Sequence, residues 1–252
     1  MKIHGERHNR PDAPNGLAAG KQMDWHHRFG ELAATTQDPR LRTYYRHPPP
    51  PVDTPVRDAP MLALDLETSG LDEDRDAIVS IGFIPFDPIR IRCAGARHWI
   101  VQPDRTPGEI AAPIHGITHA SLKAALTFEN FFETLLQAMA GKIVVAHCAA
   151  IERRFLSAAS IQLTGEQLLF PVIDTMRLEE KKYPHRPFDW LLQWFLKADT
   201  PSLRLDATRK RYGLPSYRPH HALTDALATA ELLQAQLQAD YCPQAPVAQF
   251  WC

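Results

Sequence analysis

Asp65 and Glu67 stand two residues apart inside an otherwise apolar run, Met61-Leu62-Ala63-Leu64-Asp65-Leu66-Glu67-Thr68-Ser69-Gly70. On a strand, residues i and i+2 share a face, so the two carboxylates project together. Like charges at the edge of a core need compensation, and hard cations such as Mg²⁺ and Mn²⁺ favour carboxylate oxygens. A half-exposed strand with an acidic polar face is the other reading. Two further places hold chemically capable groups. Asp225 sits beside the inward stripe Ala226, Ala230, Leu233 and Leu237 of a long helix, and His220 lies near that helix's start. Glu152 falls in the first turns of a helix that follows the strand Lys142–His147. Each has a plain structural alternative: a solvated flank, an exposed ring, an acid easing a helix dipole. Together they supply four carboxylates and one histidine, the inventory of two-metal phosphodiester cleavage. In that chemistry the cations activate a water and stabilise the leaving oxygen, and a histidine takes the proton.

The elements that must position these groups read as a layered α/β domain. Ala77–Phe86 is rich in β-branched and aromatic residues, and Ile91–Gln102 looks like its hairpin partner across Asp87-Pro88. With the opening strand they suggest a meander. Helices are expected over His119–Ala125 and over Phe128–Ala140, the latter turning Phe128, Phe131, Leu135 and Met139 inward and closed by Gly141. Lys142–His147 and Pro171–Asp174 read as buried strands with an Ala/Leu-rich helix between them, and the chain is mainly helical from there to Asp240. A meander followed by alternating strands and helices argues for a mixed sheet flanked by α-helices.

Ahead of this domain, residues 1–22 lack periodicity and are expected to be disordered. Residues 23–47 carry helical spacing, with Trp25, Phe29, Leu32 and Ala33, then Leu41, Tyr44 and Tyr45, and form a helical appendage. The proline-rich stretch 48–60, beginning His47-Pro48-Pro49-Pro50-Pro51, favours extended geometry and reads as a semi-rigid linker. The main domain spans 61–242, and 243–252 is a tail. Of 252 residues, 44% are hydrophobic and 23% charged, and the net charge is −1, so no global field draws the chain to nucleic acid or membrane. No apolar run approaches a membrane span. The four cysteines lack zinc spacing and, with no secretory signal, are expected to be reduced thiols of a cytoplasmic protein.

Several ordered motifs now carry a resemblance. Asp65-Leu66-Glu67-Thr68-Ser69-Gly70 resembles D-x-E-T-(T/S)-G, Ile114-His115-Gly116-Ile117-Thr118 resembles I-H-G-I-T, and Val172-Ile173-Asp174-Thr175-Met176 resembles an I-D-T-L segment. His220-x-Ala222-x-x-Asp225-Ala226 matches H-x-A-x-x-D-A, and Leu205-Asp206 and Arg211-Tyr212-Gly213-Leu214 fall at similar places. The chain thus resembles the DnaQ-like (DEDDh) 3′–5′ exonucleases over roughly Pro60 to Tyr241. The resemblance implies a ribonuclease H-like fold with a mixed, roughly five-stranded sheet and two divalent cations, Mg²⁺ or Mn²⁺. It implies that Asp65 bridges both cations, that Glu67 and Asp225 complete one, that Glu152 serves the other, and that His220 is the general base. Thr68 lies where the family contacts the 3′-terminal nucleotide, and Ser69, His147 and Cys148 are carried over as substrate contacts.

The second motif departs from the family. Where H-N-A-x-F-D is usual, this chain has His147-Cys148-Ala149-Ala150-Ile151-Glu152, a longer carboxylate and a thiol in place of an amide. A carboxylate is retained, so activity is expected; a weakened nuclease fold acting as a nucleic-acid or protein binding module is the alternative. Nine Lys/Arg against three acids between Lys181 and Arg218 suggest a surface that tracks a phosphate backbone, with Phe188, Trp190 and Trp194 as stacking or core residues. Gln167-Leu168-Leu169-Phe170 faintly resembles a sliding-clamp peptide, but packing ahead of a strand explains it better. The expected substrates are single-stranded 3′ ends of DNA or RNA, and no motif chooses between them. Proofreading would need a polymerase or repair partner, docked through the N-terminal extension.

Overall fold

The computed structural model describes residues 23–103, 117–183 and 201–251. Its elements are α1 (Trp25–Thr35), α2 (Pro39–Tyr45), β1 (Met61–Thr68), β2 (Ile78–Phe86), β3 (Arg97–Gln102), α3 (His119–Ala124), β4 (Leu126–Thr127), α4 (Phe128–Met139), β5 (Ile143–Ala146), α5 (Ala150–Thr164), β6 (Val172–Asp174), α6 (Thr175–Glu180), α7 (Leu205–Arg211) and α8 (Ala222–Asp240). The strands form one mixed sheet in the order β4-β3-β2-β1-β5-β6, so the five expected strands gain a short sixth at one edge. β1 pairs antiparallel with β2 and β2 with β3, while β1–β5, β5–β6 and β3–β4 are parallel. Residues 1–22, Ile114–Gly116, Arg186, Phe188, Asp189, Trp190, Trp194, Lys197, Asp199 and Cys252, for which the sequence raises expectations, lie outside the described residues.

β1 is apolar along both faces because both are covered. Met61, Leu62, Ala63 and Leu64 are fully buried, and α8 lies across β1, β2 and β5. The β2–β3 connection differs from the simple hairpin expected. The Asp87 carboxylate accepts the N–H groups of Ile89 and Arg90, a 3₁₀ turn follows at Cys93–Gly95, and β3 begins only at Arg97. In α4 the buried set is Phe128, Phe132, Leu135, Leu136 and Met139. Phe131, expected inside, instead stacks on Trp99 of β3 at 4.7 Å and 14°.

The N-terminal helices share the core of the sheet. Trp25, Phe29, Leu41, Tyr44 and Tyr45 are buried in the same cluster as β1 and β5. Their docking is also polar. The Glu166 carboxylate accepts the N–H groups of Gln37 and Asp38, and Asp38 in turn caps α2. The Tyr45 hydroxyl donates to the Gln167 carbonyl and accepts the Leu169 N–H at 3.0 Å. Residues 48–60 are pinned as well. Val56 N–H bonds the Ala245 carbonyl, Val247 N–H bonds the Thr54 carbonyl, and Val56 and Ala59 are buried. The segment after α8 closes the other side, where Trp251 bridges Ile173 of β6. Cys93, Cys148 and Cys242 are free thiols, and no described helix is long and apolar enough to cross a membrane.

Two neighbouring tyrosines make this docking testable. Tyr45→Phe leaves the part-buried Gln167 carbonyl and Leu169 N–H without this partner and is expected to cost about 1–2 kcal/mol. The Tyr44 hydroxyl is buried with no partner among the described residues, so Tyr44→Phe is expected to be neutral or mildly stabilising. Urea unfolding with an unchanged slope measures both.

Candidate active site

Three carboxylates converge where the sheet meets the start of α8. One oxygen each from Asp65, Glu67 and Asp225 lie within 4.8 Å of one another. Asp65 and Glu67 owe this to strand periodicity, as the spacing predicts. The β1–β2 ladder shifts register just beyond, between Glu67 and Thr68, where β2 carries the extra residue Val79. Glu67 is buried and Asp65 and Asp225 half-buried.

Asp225 arrives through a close approach of helix to sheet. Gly82 of β2 is the direct partner of Asp65, and a Cβ there would overlap the backbone of Ala222 and Leu223. The missing side chain lets the first turn of α8 sit on the sheet beside Asp65. Ahead of that turn His220 is exposed, with φ 66°, and its N–H donates to Asp225 Oδ2 at 2.8 Å. One carboxylate therefore faces the acidic cluster and fixes the backbone of the candidate base.

Glu152 lies on a different element. It stands in the first turn of α5, is 2% exposed, and its Oε2 has no hydrogen-bond partner among the described residues. It falls outside the trio of mutually close carboxylates, yet its charge raises the pKa of Asp65. The turn that delivers it is held by Asp174 at the end of β6. That carboxylate accepts the N–H groups of Cys148 and Ala149 and also those of Met176 and Arg177, so it organises the starts of both α5 and α6. Cys148, at φ 77°, is kept in the left-handed region by this grip. His147 contributes nothing to the cluster directly: its Nδ1 bonds Thr175 Oγ1 and its Nε2 the Leu203 carbonyl, both at 2.8 Å. The ring ties β5 to α6 and to the segment before α7.

The residues after β1 form a closed loop. Thr68 Oγ1 donates to the Gly70 carbonyl at 2.6 Å. Ser69 Oγ donates to Asp76 and accepts the Ala77 N–H, so its hydroxyl is engaged within the loop. Arg154 of α5 pairs with Glu73 at 3.2 Å and clasps the same loop. The basic run is less free than its count suggests. Lys182 and Arg211 pair with Glu179, Lys182 also with Asp240, and buried Arg209 pairs with Glu231. Lys181, Arg204, Lys210 and Arg218 remain without an ion pair among the described residues. In Gln167–Phe170, Leu168 and Phe170 are buried, which suits packing.

Gly82 goes unread in the sequence, and Asp174 is placed only within the I-D-T-L segment, without its role at the starts of α5 and α6. A glycine interrupting the run Ile78–Ile84 was a signal for the first. An aspartate at a strand end just before a helix was one for the second.

The electrostatics are those of a site built for a cation. Burial pushes the Asp65 carboxyl well above its usual range, with Glu152, Asp225 and Glu67 adding like charge. Burial and then Asp225 push Glu67 up to about 7, and burial and then Asp174 push Glu152 up to about 8. Oxygen donors only, one of them buried without a partner, fit a hard divalent cation.

Comparison with known proteins agrees. The RNase T-type family model described as "Exonuclease" matches residues 62–233. The PolC-type DNA polymerase III of Thermotoga maritima is 29% identical over 180 residues, covering 71% of this chain and 12% of that protein. The DNA polymerase III subunit epsilon of Treponema pallidum is 25% identical over 175 residues, covering 69% of this chain and 75% of that protein. The chain thus spans about an eighth of the PolC-type relatives it matches. In fold, cell-death related nuclease 4 superposes with TM-score 0.56 at 18% identity, over 74% of this chain and 65% of that one. The nuclease domain of 3′hExo, a DEDDh family member, superposes with TM-score 0.53 at 16% identity, over 72% and 92%. The chain belongs to the exonuclease family of RNase T type, the DnaQ-like DEDDh 3′–5′ exonucleases of ribonuclease H-like fold.

Proposed function

We propose that this chain removes nucleoside monophosphates from single-stranded 3′ ends of DNA or RNA by metal-dependent hydrolysis, with His220 as general base. The observation that carries this reading is the convergence of Asp65, Glu67 and Asp225 within 4.8 Å beside His220. Asp65, Glu67 and Asp225 would hold Mg²⁺ or Mn²⁺, and Glu152 would serve a second ion next to Asp65. When bound, the cations supply the positive charge that lowers the pKa of an attacking water and offsets charge on the phosphate. His220 takes the water's proton, the new bond forms from water oxygen to phosphorus, and the bond to the preceding O3′ breaks. The products are a 5′-mononucleotide and a strand one residue shorter. Asp225 keeps the His220 backbone in place through its Oδ2.

Arg218, two residues before His220, and Arg204 and Lys210 on or near α7 are the cations for the phosphate backbone. The similarity to a polymerase subunit and to polymerase-borne domains supports a polymerase or repair complex as partner, reached through residues 1–60.

The decisive assay follows 3′-labelled single-stranded DNA and RNA with Mg²⁺, Mn²⁺ or EDTA. Mononucleotide release is expected with metal and not with EDTA, and Asp65→Ala is expected to reduce it by roughly 10³-fold or more, the scale of losing a central charge-stabilising group. Glu152→Gln is expected to lower the rate about 10- to 100-fold while Glu152→Asp keeps most of it, the span reported for groups that tune a metal site. Equal rates for wild type and Glu152→Gln would remove Glu152 from the site.

Without metal, stability should depend on pH in a defined direction. Glu67 and Glu152 titrate higher in the folded chain, at about 7 and about 8, than their ordinary value of 4.5. Their contribution is therefore intact below pH 4.5 and is lost as pH rises through 7 and 8. The melting temperature in EDTA is expected to fall by several degrees from pH 6 to pH 8.5, roughly the effect of 1–2 kcal/mol. Millimolar Mn²⁺ is expected to restore it, as binding to the folded state requires. A pH-independent melting temperature in EDTA would contradict the electrostatic account.

A further inference from the structure

Asp65, Gly82 and His98 form one row across three strands, since Asp65 pairs with Gly82 and Gly82 with His98. Directly opposed residues of antiparallel strands place their side chains on one face. The middle member has none, and the backbone of Ala222 and Leu223 at the head of α8 takes that space. The head of the helix is thus seated between the Asp65 carboxylate on one flank and the His98 ring on the other.

His98 does more than border this seat. Its ring lies 4.3 Å from the ring of His221 at an angle of 34°. Its Nε2 is 2.8 Å from Oγ of buried Ser80, the residue paired with Glu67 on β1. His221 is the N-cap of α8, and it is a loose one: its Nδ1 stands 3.4 Å from Thr224 N and 3.2 Å from Thr224 Oγ1. Histidine is not among the side chains that cap helices well, and 3.4 Å is long for such a bond. The next residue back, His220, is held at φ 66°, a region that costs energy for any residue with a side chain. Asp225 holds the His220 N–H, but the weak cap leaves the adjoining His221, and with it the first turn of α8, dependent on a further contact.

We propose that His98 is a positioning residue, whose ring packs at a tilt against His221, clamps the N-cap of α8 and thereby holds His220 beside the acidic cluster. The clamp runs from β1 through Ser80 and His98 to the helix cap, so the base is referenced to the same sheet that carries Asp65 and Glu67. The inference rests on the exonuclease reading for its catalytic consequence and on geometry alone for the clamp.

The test uses the full chain with His98→Ala and His98→Phe. With Mn²⁺ and a labelled single strand, His98→Ala is expected to lower kcat about 10- to 100-fold, the cost of a slight misplacement of a reacting group, with KM changed less than about threefold. His98→Phe keeps a ring on His221 and loses only the Ser80 bond, so it is expected to recover kcat to within about threefold of wild type. Metal-free hydrogen exchange gives a readout independent of catalysis. Amides of residues 221–225 are expected to exchange at least about tenfold faster in His98→Ala and near the wild-type rate in His98→Phe, with little change elsewhere in the sheet. An unchanged kcat in His98→Ala, a kcat loss shared equally by His98→Phe, or faster exchange across the whole sheet would overturn the proposal. Absence of nucleotide release by the wild type would sink the exonuclease reading instead, and the exchange arm would still judge the clamp.

Discussion

Mutual repulsion of carboxylates at the edge of the core is the constraint around which this structure is built. Three oxygens within 4.8 Å, with a fourth carboxylate close enough to perturb Asp65, are held together although each ionised pair at such a distance opposes folding by about 3–4 kcal/mol at an effective dielectric near 20. Without a cation the relief is proton uptake, which is why burial and like charge push the Asp65 and Glu67 carboxyls above their ordinary range. The surrounding architecture must hold them rigidly enough that a cation, not a structural collapse, is the response. β1 meets that demand by being buried, with Leu64 and Leu66 flanking the acidic positions and Gly82 and Ser80 of β2 paired with them.

The same constraint explains how the helices are attached. Asp225 and Glu152 come from helices that could drift away from like charge, and each is fixed by a device with no catalytic task. For α8 it is the absent side chain at Gly82, which lets helix backbone contact sheet backbone. For α5 it is Asp174, whose two oxygens collect four N–H groups and keep the left-handed turn at Cys148. Asn tolerates that turn better than Cys, through local hydrogen bonding of its amide. With a thiol there, the grip of Asp174 on the Cys148 and Ala149 N–H groups becomes the main restraint on the turn.

The legible parts of the molecule are those that depend on local spacing. Asp65 and Glu67 share a face because a strand has period two, and Asp225 could be read as their neighbour because ordered motifs fix its place in the chain. The sheet was legible as a meander followed by alternating strands and helices. What escaped depends on partners far away in sequence. Phe131 and Phe132 are adjacent, and only the place of Trp99 on β3 decides which turns inward. The basic run looked like a phosphate track because charge counting does not see Glu179, Glu231 and Asp240 neutralising part of it. His98 could not be singled out without the cross-strand register that aligns it with Gly82 and Asp65.

The N-terminal helices bear on the site through α5. That helix is 15 residues, about 22 Å long at the α-helical rise, with Glu152 at its start. Its end leads into Glu166, Gln167 and Leu169, which hold Gln37, Asp38 and Tyr45. Asp174 fixes one end of the helix and the α1–α2 pair fixes the other, so α5 behaves as a strut between them. The polar contacts at Tyr45 and Glu166 thus meet the far end of the helix whose first turn carries Glu152, although neither group approaches the acidic cluster. The first two helices are in this sense part of the packing around α5, because they fix where its C-terminal end lies against the shared core.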